Sequence, residues 1–302
     1  MTQTVAFSSL GATLRGNLYL PENAAQPCPI VVMAHGFSAT ISGMVADRYA
    51  EAFQAAGFAV LLYDHRGLGM SDGEPRQDIN MWVQARGYID AIDFLTSRPE
   101  IDQRRIAIWG DSLAGAEAVV VGAVDSRVAA IVAQVPAFGN ELPAPDPDGS
   151  MYRALRKAFL GSDSNFFPEK TGKQMPVVSS DQLGTPSLLV PLTAFRWFIE
   201  YGGRYGTGWH NWATRSSPDL PVDFSAYLCA PYLRAPILLV IAEEDEMPGA
   251  SSEISRKLYE AAPEPKELFE IDGGHFGLFY YPSDLFDQSS QRQVEFLLRH
   301  LC

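Results

Sequence analysis

Cysteine is scarce: Cys28, Cys229 and Cys302 are the only three in 302 residues. Few, widely spaced and odd in number, they argue against a disulfide framework and do not suggest a zinc site. A reduced, cytoplasmic setting is therefore expected, with no metal and no cofactor called for. No apolar run approaches the ~20 residues of a membrane span, and Met1-Thr2-Gln3-Thr4 has neither the basic region nor the apolar stretch of a secretion signal. Positive charge is in deficit, with 23 Lys and Arg against 36 Asp and Glu and a net charge of −13. That balance argues against nucleic acid or an anionic membrane surface as partner. The acidic residues are scattered apart from Glu243-Glu244-Asp245-Glu246, so the charge reads mainly as solubility.

What is present is apolar and ordered. Hydrophobic residues make up 47 %, and the length allows one large core plus an insertion. Val5 to Ser8 and Leu14 to Tyr19 read as strands. Ile30 to Ala34, Ala59 to Tyr63, Ile106 to Gly110, Ala129 to Ala133 and Ile237 to Ala242 are continuous apolar runs, the pattern of strands covered on both faces of a parallel sheet. Helical stretches alternate with them at about 45–56, 81–97, 112–124 and 252–261. A last strand (267–271) and an amphipathic helix (about 291–301) follow. Strand–helix alternation predicts an α/β fold with a mostly parallel central sheet flanked by helices. The alternation lapses from about 138 to 230, where Phe159, Phe166, Phe167, Phe195, Trp197, Phe198, Tyr201, Tyr205, Trp209 and Trp212 crowd together. Residues 138–230 therefore read as an aromatic-rich lid inserted into a core formed by 1–137 and 231–302.

The sharpest motif is Ile106-Ala107-Ile108-Trp109-Gly110-Asp111-Ser112-Leu113-Ala114-Gly115, an apolar strand running through a turn of small residues into a helix. This is the nucleophile elbow, in which a serine is held in strained backbone geometry with its hydroxyl clear of the sheet. A serine needs a base to take its proton. On such an elbow the acid and then the histidine follow the serine in sequence, which removes His35 and His65. His300 lies in the last helical turn and His210 in the insertion, with no strand to fix it. His275 follows a strand through Asp272-Gly273-Gly274 and is the expected base. Asp245, a few residues after the 237–242 strand, is favoured as the acid over Glu243, Glu244 and Glu246. Oxyanion donors are expected from the backbone N–H groups of Leu113 and Phe37, while His35 reads as a structural brace for the loop carrying Phe37.

Gly110-Asp111-Ser112-Leu113 also spells the signature of the GDSL lipases, and Asp272-Gly273-Gly274-His275 imitates their terminal Asp-x-x-His. In that family the serine block lies near the N-terminus and a Gly-x-Asn-Asp block follows. Several strands precede Ser112 here, and Gly-x-Asn-Asp is absent, so the match is read as accidental. The two readings differ in the acid, Asp245 or Asp272.

His35-Gly36-Phe37, the Asp64–Gly73 loop, the Ser112 elbow, Asp245 and Gly274-His275 occur in the order of the α/β-hydrolase superfamily, which the chain resembles over nearly all of residues 5–301. Within it, Ala34-His35-Gly36, Ile106 to Gly110, Arg127 to Ala130, Asp245-Glu246-Met247 and Gly273 to Phe276 resemble the dienelactone-hydrolase and X-prolyl-peptidase branch. Within that branch the chain resembles a group that includes the polyketide transferases and thiohydrolases of secondary metabolism. The resemblance implies the α/β-hydrolase fold and hydrolysis of an ester, thioester or lactone through an acyl-serine. The alternative is an acyltransferase passing the acyl group to an alcohol or amine. A non-catalytic binding protein of the same fold is a weaker reading, because no triad member is missing. An X-prolyl peptidase is weaker too, for want of a subsite for a free amino terminus. A small, largely apolar acyl compound is the expected partner, and a homodimer is left open. Trp197, Trp209 and Phe276 are candidate substrate contacts. Asp111 stands where relatives often carry Thr, His or Ser; its carboxylate would either tune acyl preference or face solvent.

Overall fold

The computed structural model describes residues 2–22, 27–161, 165–168 and 171–302. Its centre is an eight-stranded sheet in the order β1-β2-β4-β3-β6-β7-β9-β10. The antiparallel edge is β1 (Thr2–Ser9) paired with β2 (Ala12–Tyr19), and β2 pairs antiparallel with β4 (Ala59–Tyr63). From there β3 (Cys28–Ala34), β6 (Ile101–Asp111), β7 (Val128–Gln134), β9 (Ile237–Ala242) and β10 (Lys266–Ile271) run parallel. Two short strands, β5 (Asp78–Ile79) and β8 (Thr214–Arg215), pair in a separate ribbon.

Apolar runs become central strands because both faces are covered. Alternate residues enter opposite layers: Ile30, Val32, Leu61, Ile106 and Ile108 pack on one side, and Val31, Met33, Leu62, Ala107 and Trp109 on the other. The first side is covered by α2 (Met81–Leu95), α3 (Ser112–Val124) and α7 (Ser252–Ala261), the second by α1 (Ala46–Ala55) and α8 (Asp284–Leu301). Each large aliphatic side chain sealed in this way contributes roughly 1.5–3 kcal/mol. Polar clamps fix the layers. Trp109 donates its indole N–H to Gln293 Oε1 on α8 at 2.7 Å, and Gln293 in turn donates to Gln134 at the end of β7.

The terminal helix begins at Asp284, earlier than the apolar periodicity suggests, because the Ser283 hydroxyl caps it by accepting the Phe286 N–H at 3.1 Å. Residues 138–230 add no strand to the central sheet among the described residues. They form α4 (Ser150–Leu160), α5 (Leu192–Trp197) continuing into a π-helical turn (Phe198–Gly202), β8 and the single turn α6 (Ala226–Cys229). Among the described residues no helix is long and apolar enough to cross a membrane. Because β3, β6, β9 and β10 are parallel, their carboxyl ends deliver His35, Ser112, Asp245 and His275 to one edge of the sheet.

Candidate active site

Ser112 opens α3 with φ of 51°, in the left-handed region that costs a serine about 1–3 kcal/mol. The flanking glycines make the turn feasible. A Cβ on Gly110 would lie 2.1 Å from the Ala114 carbonyl oxygen, and one on Gly115 would lie 2.9 Å from Pro136 Cβ. Gly36 approaches from the neighbouring strand, where a Cβ would stand 3.0 Å from Ser112 Cβ. Ala114, in place of a glycine, is fully buried and tolerated.

His275 is 2 % exposed, and its Nδ1 lies 2.8 Å from Asp245 Oδ2. The other Asp245 oxygen accepts the Met247 N–H at 2.9 Å, so the carboxylate is fixed from both sides. An acceptor-only carboxylate makes Nδ1 the donor and leaves Nε2 free to take a proton. Asp272, the acid of the rejected motif, is exposed and makes no such contact. Glu246 instead binds the backbone, accepting the His275 N–H at 2.8 Å with one oxygen and the Thr193 hydroxyl of α5 with the other.

Ser112, His275 and Phe37 line one pocket of about 30 Å³, with Trp197, Phe198, Phe276, Phe279 and Leu189 closing over it. No hydrogen bond joins Ser112 and His275 among the described residues; bonds of this kind tighten when substrate binds. Leu113 lies in the first turn of α3, where backbone N–H groups have no intrahelical acceptor. Neither its amide nor that of Phe37 donates to protein among the described residues. Both residues also line a second, larger cavity of about 510 Å³, walled by Met81, Trp82, Ala137, Phe138, Phe224 and Pro248. The Asn80 side chain caps α2 by accepting the Trp82 and Val83 amides, which sets Trp82 into that wall.

Two expectations change here. Asp111 does not face solvent; it lines the Ser112 pocket with its carboxylate already engaged by protein donors. It is 2 % exposed, and its oxygens accept from His35 Nδ1 at 2.9 Å and from the Gly36 N–H at 3.0 Å. His35 Nε2 meets the Met44 carbonyl at 2.7 Å. Both ring nitrogens thus lie within hydrogen-bond distance of an acceptor, and the Gly36 N–H lies 3.0 Å from Nδ1 as well. Burial opposes a charge on the ring, but the Asp111 carboxylate and the Met44 carbonyl outweigh it and raise the His35 pKa. Trp209 lies outside the Ser112 pocket and packs on Phe198 at 5.4 Å. Trp197 and Phe276 do line that pocket, 5.3 Å apart, with the Trp197 indole N–H donating to the Phe279 carbonyl at 2.8 Å. The walls of the larger cavity come from stretches without a motif, so nothing in the sequence pointed to them.

The Asp64–Gly73 loop is structural. Asp64 accepts the Ile41 and Met70 amides at 2.9 Å each, and burial pushes its pKa up to about 6.

Sheet order, elbow and strand-end residues together define an α/β-hydrolase fold. Comparison with known proteins agrees. Residues 11–142 match the family model of the X-Pro dipeptidyl-peptidases (S15 family). Thiohydrolase apmlB of Arthrinium phaeospermum is 43 % identical over 138 residues, a match spanning 45 % of this chain and 44 % of that protein. Polyketide transferase ATR5 of Stachybotrys chlorohalonatus is 28 % identical over 318 residues, 96 % of this chain and 94 % of its own. The crystal structure of the α/β hydrolase GrgF from Penicillium sp. sh18 superposes with a TM-score of 0.76 at 27 % identity, covering 100 % of this chain and 99 % of that one.

Proposed function

We propose that the protein is a serine hydrolase cleaving an ester, thioester or lactone bond of a largely apolar acyl compound. The observation that carries this reading is the fixed Asp245–His275 pair, 2.8 Å long, sharing a pocket with a left-handed Ser112. Ser112 Oγ attacks the acyl carbonyl while His275 Nε2 takes its proton. Asp245 holds the ring and stabilises the imidazolium that results. The developing oxyanion is met by the Phe37 and Leu113 N–H groups, an interaction worth about 3 kcal/mol per donor. His275 then passes its proton to the departing oxygen or sulfur, leaving an acyl-serine. Water, deprotonated by His275, releases the acid and restores Ser112. Residues 138–230 act as the lid: Leu189, Trp197 and Phe198 close the Ser112 pocket, and Arg215 to Ser217 with Phe224 wall the larger cavity.

Acyl transfer to an alcohol or amine is the second reading. The Ser112 pocket is small and ringed by apolar side chains, which favours an acceptor that can displace water. A panel of p-nitrophenyl esters, lactones and acyl thioesters, with and without competing acceptors, separates the two readings. Ser112→Ala is expected to lower turnover on the order of 10⁴–10⁶-fold. Undiminished hydrolysis by that variant would overturn the mechanism.

A further inference from the structure

The 510 Å³ cavity is apolar over most of its wall, yet Arg215 lines it, and among the described residues no carboxylate pairs with that cation. Arg215 lies 4.8 Å over the Phe37 ring, on the same residue whose amide borders Ser112. Its side chain is reachable from solvent and makes no ion pair or hydrogen bond among the described residues. Even so, surrounding protein withdraws enough water to push its pKa down.

The local backbone explains why the carboxylate on the paired strand, Asp78, does not partner Arg215. Alternate residues of an extended segment point to opposite sides. Thr214 and Ser216 direct their hydroxyls to Asp78, at 3.0 Å and 2.6 Å, and so occupy both of its oxygens. Arg215, between them, faces the other way into the cavity. Its position is anchored from both sides: its carbonyl accepts the Gly172 N–H at 3.0 Å, and the Ser216 N–H donates to Ile79 at 3.1 Å.

Which half of a substrate enters this cavity follows from the proton transfers. The leaving group must reach His275; neither His275 nor Ser112 lines the cavity, whereas Phe37 and Leu113, the expected donors to the acyl carbonyl oxygen, do. The cavity is the acyl side. We propose that Arg215 is a specificity-determining residue that binds an anionic group, a carboxylate, carried by the acyl chain some carbons from the scissile carbonyl. This rests on the serine-hydrolase reading. A guanidinium pre-stacked on an aromatic ring offers paired donors to a carboxylate at low ordering cost.

The test compares 4-nitrophenyl hemiesters of succinate, glutarate, adipate and pimelate with their methyl-capped counterparts. In the wild type the ratio of kcat/KM, anionic over neutral, is expected to peak at one chain length. Arg215→Gln should lower that ratio about tenfold or more, as loss of a charged hydrogen bond requires, and Arg215→Lys should retain part of it. A merely structural role would shift both esters together, and an unchanged ratio overturns the proposal. If Arg215 instead grips the phosphates of a thioester carrier, the coenzyme A to N-acetylcysteamine thioester ratio falls in Arg215→Gln while the hemiester ratio stays, which also overturns it. Calorimetric binding of adipate needs no turnover. Binding about tenfold weaker in Arg215→Gln supports the proposal, and equal or absent binding in both proteins contradicts it, even if Ser112→Ala were to show that the serine mechanism is wrong.

Discussion

Asp111 Oδ2 and His35 Nδ1 lie 2.9 Å apart with both side chains 3 % exposed, an ion pair sealed beneath the turn that carries Ser112. It ties the end of β6 to the loop after β3, so the nucleophile and the Phe37 amide are set by one contact.

Asp111→Asn should therefore weaken both fold and chemistry. Removing one partner of a buried pair costs about 3–5 kcal/mol, to be read by urea unfolding, and kcat should fall more than KM rises. The His35 pKa is raised in the folded protein. Its stabilisation is thus full below the unfolded value of about 6.5 and is lost as pH rises through the higher folded value. The variant should lose this part of the pH dependence.

The acid is assigned by replacing its two candidates. Asp245→Asn should lower kcat on the order of 10⁴-fold, as loss of the orienting carboxylate does in serine triads. Asp272→Asn, at an exposed position, should leave kcat near the wild-type value. The opposite pattern would restore the GDSL reading.

Glu246 is a positioning residue for the His275 loop, reaching its backbone and Thr193 of α5 together. Glu246→Ala should reduce kcat roughly tenfold through misplacement of the base, whereas Glu246→Gln, which keeps an acceptor for the His275 N–H, should recover much of it. Steady-state kinetics on one ester checks both.

Glu117, on α3, is fully buried, and burial followed by the Asp111 charge holds its pKa well above the usual carboxylate range. The folded state keeps this proton where the unfolded chain releases it, so the sign is clear. Its stabilisation is full below about pH 4.3 and is lost as pH rises towards the folded value, at up to about 1.4 kcal/mol per pH unit. Glu117→Gln should lose less stability than the wild type between pH 5 and pH 8 in urea unfolding.

The strands and the elbow were legible because their signals are local. Ala59–Tyr63, Ser112–Val124 and Ile237–Ala242 have the bounds that their apolar runs and flanking turns suggest. Ser112, Asp245 and His275 follow from the rule that parallel strands deliver their ends to one edge. Asp111 was obscure because its partner His35 lies 76 residues away, and no periodicity encodes such a pairing. Within 138–230 the helices are separated by long irregular stretches and join the core through a cluster of Phe159, Phe166 and Phe224 around Trp82, contacts that no periodicity announces. Arg215 sits on a two-residue strand paired with another of the same length, so neither its direction nor its cavity had a sequence signal.

The proposed mechanism turns on a covalent acyl-serine, which peptide mass spectrometry detects. The protein is quenched in acid during turnover of a p-nitrophenyl ester, then digested. A mass increase equal to one acyl group is expected on the peptide containing Ser112 and absent from Ser112→Ala. Turnover with no adduct on Ser112, or an adduct that persists in Ser112→Ala, would contradict it.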